Sequence, residues 1–355
     1  GYNPPLSFIT NGSRENTALY EALVPNAGIT WEVANQANVG LDATLLQNKL
    51  TVTFDYFDYR RSKILWQRNA SVPTSTGLFG LLPKENIGRV ANKGYDFSIN
   101  YSNLQGKVAY QIGLNGGHQK NKILFWDEVP GDPDYKKSTG RPIGSSTYYQ
   151  AIGIFSSVSD IAKYPYMASL NPKPGDIIYE DVNKDGKIDG NDQVRNDKSD
   201  IPTFTAGLTF GLQLRGFDIS FLVQGASGAV RYISTESGEI GNFLQSFAEN
   251  RWTPTNPNAS GPRTFNRSNE YWVGGNTYFL HKTDYIRLKN FEVGYSLPQN
   301  VMKKAGFQNL RVYVNGYNWL TYSPDMKDFD PEMGTGSGQG YPLQKIINFG
   351  ASVTF

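Results

Sequence analysis

The residues best suited to chemistry lie in one short run, Asp181-Val-Asn-Lys-Asp-Gly-Lys-Ile-Asp-Gly-Asn-Asp192. Side-chain oxygens fall at positions 1, 3, 5, 9 and 12 of this run (Asp181, Asn183, Asp185, Asp189, Asp192), and Lys187 offers a backbone carbonyl at position 7. That is the oxygen spacing of a calcium loop, with Gly186 placed for the sharp turn and Ile188 placed to anchor the loop on apolar neighbours. Position 12 is Asp where Glu would reach further, and the flanks IIYE and QVRND do not read as helices. With no helix pair to open, a calcium sensor is not expected, and a structural staple is. Extracellular calcium modules bind with dissociation constants of about 0.1–1 mM. At roughly millimolar external calcium this contributes on the order of 0.5–1.5 kcal/mol of loop order. A solvated loop held by Asx turns, without an ion, is the competing reading.

Other chemistry is thin. There is no cysteine, which excludes thiol catalysis, cysteine-ligated zinc and a disulfide framework. The two histidines, His118 and His281, lie far apart, and no Gly-x-Ser-x-Gly elbow occurs. The carboxylates fall mostly in loops and form no recognisable acid/base pair. The run Gly334-Thr-Gly-Ser-Gly-Gln-Gly340 mimics a phosphate cradle but is not set between a strand and a helix, so it reads as an outer loop. No enzyme is expected. Loop aromatics Trp126, Tyr135, Tyr148, Tyr149, Trp252, Tyr271 and Trp272 are candidates for stacking on a ligand or meeting a partner, against the plainer roles of interfacial girdle and loop packing.

The elements that must carry these loops are strands. In 355 residues there are 22 Tyr, 20 Phe, 6 Trp and 37 Gly, a mix that favours β-structure with many turns. The net charge of +2 implies no nucleic-acid partner. Period-2 alternation recurs in nine long segments: 39–45, 50–56, 95–102, 108–115, 204–214, 217–223, 286–297, 310–320 and 347–355. Leu50, Val52, Phe54 and Tyr56 alternate with Thr51, Thr53 and Asp55, and Phe217, Ile219, Phe221 and Val223 with Asp218, Ser220 and Leu222. A phase slip at Lys289-Asn290 reads as a bulge. Tilted strands of roughly 9 to 11 residues cross a bilayer, and lipid-facing and lumen-facing residues average out to a polar hydropathy such as the −0.46 found here.

Connections alternate in length. Short ones lie near Gln47-Asn48, 103–106, Arg215-Gly216 and 298–308; long ones run over roughly 65–90, 125–202, 230–282 and 322–343. Short turns at one end and long loops at the other are the habit of outer-membrane barrels. Parity then places the acidic loop in the outer segment 125–202 and Tyr148 to Phe155 in an extracellular hairpin. About nine to ten strands with an odd spanning count leave an edge whose amides would be unpaired in lipid. The expected fold is all-β: a transmembrane antiparallel β-barrel, with residues 1–355 its C-terminal portion.

Several stretches resemble the C-terminal half of SusC/RagA-like TonB-dependent transporters: Trp31-Glu-Val-Ala-Asn-Gln-Ala-Asn-Val-Gly-Leu-Asp42, Pro174-Gly-Asp-Ile-Ile-Tyr179 running into the acidic loop, Asp218-Ile-Ser-Phe-Leu-Val-Gln-Gly225 and Tyr285-Ile-Arg-Leu-Lys-Asn-Phe-Glu-Val-Gly-Tyr-Ser-Leu-Pro298. Trp252-Thr-Pro-Thr-Asn-Pro257, Asp330-Pro-Glu332 and the terminal Asn348-Phe-Gly-Ala-Ser-Val-Thr-Phe355 match in the same order. Phe355 resembles the signal read by the barrel-assembly machinery. The resemblance implies a 22-stranded outer-membrane importer with an N-terminal plug contacting TonB and a SusD-like surface lipoprotein lid that captures glycans or peptides. It further implies that the plug and the first dozen or so strands lie outside this chain. The expected partners are therefore that lipoprotein, the TonB complex, the remaining half of the barrel, outer-membrane lipid and a glycan or peptide ligand. The alternatives are a smaller outer-membrane barrel enzyme with a loop-borne hydrolytic site, and a secreted calcium-stapled β-sandwich adhesin with shorter strands.

Overall fold

The structure, a computed structural model, describes residues 6–10, 14–18, 25–68, 70–78, 81–167, 171–233, 244–264, 275–334, 336 and 340–355. The chain divides into two compact units. One comprises Gly1–Ala37, Asp58–Lys93 and Asn121–Ile143; the other comprises Asn38–Phe57, Gly94–Lys120 and Gly144–Phe355.

Strands β1 (Leu6–Thr10) and β2 (Arg14–Ala18) pair with each other. The long strands are β3 (Val33–Leu45), β4 (Leu50–Gln67), β5 (Lys84–Asn103), β6 (Val108–Phe125), β11 (Phe204–Leu214), β12 (Phe217–Ser227), β15 (Tyr285–Ser296), β16 (Asn309–Tyr322) and β17 (Ile346–Thr354). They form one nine-stranded sheet in the order β17-β16-β15-β12-β11-β6-β5-β4-β3. Each of the nine alternating segments of the sequence is one strand of it, so the strands belong to a single sheet and not to the two packed sheets of a sandwich.

Register explains why the alternation works. In the larger unit Ile112, Phe210, Phe221, Phe291, Gly316 and Ile347 stand opposite one another across six strands. The next row on the other face is Gln111, Gly211, Ser220, Glu292, Asn315 and Asn348. Adjacent rows are thus apolar and polar, as a sheet needs with lipid on one side and water on the other. The apolar side includes Phe349, 84% exposed.

A slip of one residue would exchange the two faces, and the bulge at Lys289 prevents it. Leu288 pairs with Val223 and Asn290 with Leu222, so Lys289 has no opposite number. Ile286 and Leu288 before the bulge therefore share a face with Phe291 and Val293 after it.

The short connections use the backbone geometry their residues allow. Arg215 and Gly216, at φ 50 and 86, make a two-residue hairpin between β11 and β12, the left-handed pair whose twist suits flanking strands. Leu46, Gln47 and Asn48 take φ 55, 57 and 65, and a short helix (Gln299–Ala305) fills the connection before β16.

The 65–90 connection expected from sequence is shorter in the structure, because β4 runs on to Gln67 and β5 begins at Lys84. Beyond bilayer depth a strand no longer needs one oily face, so pairing continues where alternation stops. The segment Tyr148 to Phe155, expected within an extracellular hairpin, forms two short strands that each pair antiparallel with a later part of the same loop. Strand β7 (Thr147–Tyr149) pairs with β10 (Gln193–Arg195), and β8 (Ala151–Ile154) with β9 (Ile177–Tyr179). The break comes where Tyr149 N–H donates to the Gly275 carbonyl and Ala151 N–H to Thr277 Oγ1. Both strands nevertheless lie outside the nine-stranded sheet, as strand parity requires.

Candidate functional site

The loops of the larger unit are folded around a core of their own. Tyr149, Met167, Ile177, Tyr179, Ile188 and Phe279 bury one another. A third short pair, β13 (Val230–Tyr232) with β14 (Leu280–Lys282), adds Tyr232 to its flank. Segments distant in sequence are tied in by polar contacts. The carboxylate of Asp176, 1% exposed, receives Arg263 Nε at 2.7 Å and the Lys173 N–H at 2.7 Å. Trp252 Nε1 donates to the Ser156 carbonyl at 3.3 Å. Gly175, at φ +92, lies where a Cβ would fall within 2.6–2.9 Å of Arg263 and Trp252, so glycine is required.

The acidic loop hangs from this core by Ile188, which is 4% exposed. Its first carboxylates fold over the turn they create. Asp181 Oδ1 and Oδ2 accept from the N–H of Asp185 (3.2 Å) and Gly186 (2.8 Å), Asn183 Oδ1 accepts from Asp185 N–H (3.0 Å), and Asp185 Oδ1 accepts from Lys187 N–H (3.0 Å). Lys184 and Gly186 take φ 59 and 81 to allow it. Asp189 caps the following turn through Asn191 N–H at 2.7 Å.

Asp192 has a different setting. It is fully buried, and its carboxylate closes the loop end to end, accepting from Val182 N–H at 2.9 Å and Asp189 N–H at 2.8 Å. The donor set of Asp181, Asn183 and Asp185 is all hard oxygen and fits calcium by type. In the structure these oxygens are turned to backbone amides. Among the described residues no three His, Asp or Glu side chains converge on a common metal position.

The aromatic candidates divide. Tyr149 is buried in the loop core at 5.4 Å from the Tyr179 ring, and burial pushes its phenol pKa up. Tyr148, half-buried, stacks on Tyr232 at 6.0 Å. Trp252 is partly exposed but packed against Gly175. Trp126 and Tyr135 belong to the smaller unit, where Trp126 lies on Trp66 at 3.8 Å. Tyr271 and Trp272 lie outside the described residues. His281 Nδ1 sits 3.4 Å from Asp325, and His118 lies against Tyr95.

Two clusters were not singled out from sequence. On the polar face, Arg311 bridges Asp218 (Nε–Oδ1 2.9 Å) and Glu292 (Nη2–Oε1 2.6 Å); Asn315 donates to Glu292 at 3.2 Å and Asn348 to Asn315 at 3.0 Å. At the outer end of β15, Arg287 is 1% exposed and holds Asp330 (2.8 Å) and Glu332 (2.7 Å) from the loop after β16. Part of their signal was present in the stretches YIRLKNFEVGYSLP and DPE, which carry Arg287, Glu292, Asp330 and Glu332, whereas Asp218 and Arg311 lie outside both.

A polar-faced and apolar-faced sheet, with short turns at one end and structured loops at the other, defines a transmembrane barrel wall. The chain belongs to the TonB dependent receptor-like β-barrel family, whose profile matches residues 1–319, and its sheet is outer-membrane barrel. Among curated relatives it is 30% identical over 323 residues to TonB-dependent receptor P3 of Formosa agariphila, covering 86% of this chain and 31% of that protein. It is 26% identical over 341 residues to TonB-dependent receptor SusC of Bacteroides thetaiotaomicron, covering 93% of this chain and 32% of that protein. The fold also matches the solved RagAB peptide transporter, with TM-score 0.68 and 22% identity over 99% of this chain and 38% of that one. The chain thus spans about a third of the relatives it matches, and these relatives are receptors and transporters, not enzymes.

Proposed function

We propose that the protein containing this chain imports glycans or oligopeptides across the outer membrane, coupled to TonB through its plug and lidded by a SusD-like lipoprotein. The observation that carries this is the continuous polar row from Gln111 to Asn348, backed by an apolar row on the opposite face. Such a wall serves a water-filled passage. The wall is rigid where strands pair, so translocation depends on displacing the plug. The loops built on the Tyr149–Tyr179–Phe279 core are the surface that a lid would meet. Uptake of labelled oligosaccharides and oligopeptides by cells, with and without a protonophore, tests it. Uptake that ignores collapse of the proton gradient would count against TonB coupling.

Within these loops, 181–192 takes a structural calcium ion through Asp181, Asn183, Asp185, the Lys187 carbonyl and Asp189, with Asp192 completing the set or clasping the loop behind it. The reading is supported by the all-oxygen donors on one turn and by the anchorage of Ile188. Bound calcium would supply positive charge against which these oxygens order. Calorimetric titration of the intact protein with calcium should show binding that Asp185→Ala removes; identical heats in the variant would remove the ion from this loop.

A further inference from the structure

The short connections of the larger unit, 46–49, 103–107, 215–216 and 297–308, carry five cations (Lys49, Lys107, Arg215, Lys303 and Lys304) and no carboxylate. The chain as a whole is close to balanced, with 34 Lys and Arg against 32 Asp and Glu. Short turns mark the periplasmic end of an outer-membrane barrel, so the rim that meets the phospholipid leaflet is positive without compensation.

Aromatic rings lie at the same level. Tyr101 and Tyr110 flank the 103–107 turn with their rings 5.7 Å apart, and Phe217, directly after Arg215-Gly216, lies 4.6 Å from Tyr295. Tyr110, Phe217 and Tyr295 stand on the same side of their strands as Ile112, Phe221 and Phe291, which is the lipid side. Rings beside lysine and arginine at a strand end form an interfacial belt.

Between the 103–107 and 215–216 turns opens a hollow of about 640 Å³. Lys107, Arg215 and Arg311 supply its cations, and Leu104, Leu214 and Phe217 its apolar side. Its one carboxylate, Asp218, already receives Arg311 Nε at 2.9 Å. Lys107 and Arg215 are exposed and have no ion pair or side-chain hydrogen bond among the described residues. Leu104 is 66% and Phe217 52% exposed, so the apolar side is open as well. A free anion or an acidic protein segment would satisfy the two cations and leave that apolar side uncovered. An anion carrying acyl chains would cover both.

We infer that this hollow seats the phosphate of an anionic phospholipid from the periplasmic leaflet: Lys107 and Arg215 hold the phosphate, and the acyl chains run up the lipid face along Leu214 and Phe217. The site belongs to the barrel wall and stands whatever cargo the protein imports.

Native mass spectrometry of the purified full protein in detergent, offered dioleoyl phosphatidylglycerol and dioleoyl phosphatidylcholine in equal amounts, tests this. Wild type should retain phosphatidylglycerol in preference, and each cation removed should lower that preference about fivefold. Lys107→Gln with Arg215→Asn removes both charges, and asparagine tolerates the left-handed backbone at 215. Lys107→Arg with Arg215→Lys keeps both charges and should keep the preference, which separates a lost charge from a disturbed turn. Inorganic phosphate in excess should not displace the lipid. Equal retention of the two lipids by wild type, an unchanged preference after both charges are removed, or displacement by inorganic phosphate would overturn the proposal.

Discussion

Replacing Asp192 by alanine should open the acidic loop whether or not calcium is present, while replacing Asp185 should matter only with calcium. Asp192 is fully buried and accepts the Val182 and Asp189 amides at 2.9 and 2.8 Å. Hydrogen bonds to a charged group contribute about 1.5–3 kcal/mol each, and buried donors left unpaired forfeit their hydration as well. Two such bonds give about 3–6 kcal/mol, enough to exceed the order of 0.5–1.5 kcal/mol that a millimolar ion could restore. Each 1.4 kcal/mol is about tenfold in the opening equilibrium, so amide exchange should quicken by about a hundredfold or more until the loop opens fully. Hydrogen exchange read by mass spectrometry over 177–195, in chelator and in calcium, measures this directly. The anchor Ile188 should transmit the loss to Tyr149 and Tyr179. Exchange in Asp192→Ala equal to wild type in chelator would refute the assignment of the clasp.

Other expectations follow from single contacts. Arg287→Met leaves Asp330 without its buried partner and should destabilise the outer end of β15 by about 3 kcal/mol; detergent-heat unfolding reads this, and Asp330→Asn in the same chain should recover part of it. Deleting Lys289 removes only the residue with no opposite number and leaves Leu288 across from Val223 and Asn290 across from Leu222, so Ile286 and Leu288 keep the apolar face; the protein should still reach the outer membrane, as scored by cell fractionation, and its failure to do so would contradict the assignment of Lys289 as the bulge residue. Asp160 should show a pH effect at the α1 turn (Val158–Ile161). Hydrogen bonds from Ser156, then the Lys163 ammonium, hold its carboxyl down at about 2 against an ordinary 3.8. A depressed carboxyl stabilises above its ordinary value and loses that contribution as pH falls towards about 2. Protection of the turn should therefore be constant above pH ~4 and decline below it, and a decline beginning near neutrality would contradict the pairing.

The sheet was legible because lipid on one side and water on the other force alternation at every residue. The nine strands, the Arg215-Gly216 hairpin and the Lys289 bulge could all be read from it. Legibility stopped where that constraint stops. Past bilayer depth the ends of β4 and β5 are held by pairing alone, so their lengths were underestimated. In the loops Tyr148 to Phe155 has strand character, but its partners lie 23 to 46 positions away in β9 and β10, a distance that local pattern does not encode. The acidic loop announced its oxygens but not that Asp192 is buried as a clasp. Burial also separates Tyr149, a core residue, from Tyr148 beside it.

The central claim is that one face of this sheet meets lipid and the other an aqueous passage. The chain contains no cysteine, so no native thiol of this segment competes with single cysteines placed in it. Spin labels at Asn348 and Phe349, neighbours on β17, compare the two faces directly. The account predicts that the label at 348 is relaxed by a water-soluble nickel chelate and the label at 349 by oxygen dissolved in lipid. Equal accessibility at the two positions, or the reverse, would contradict it.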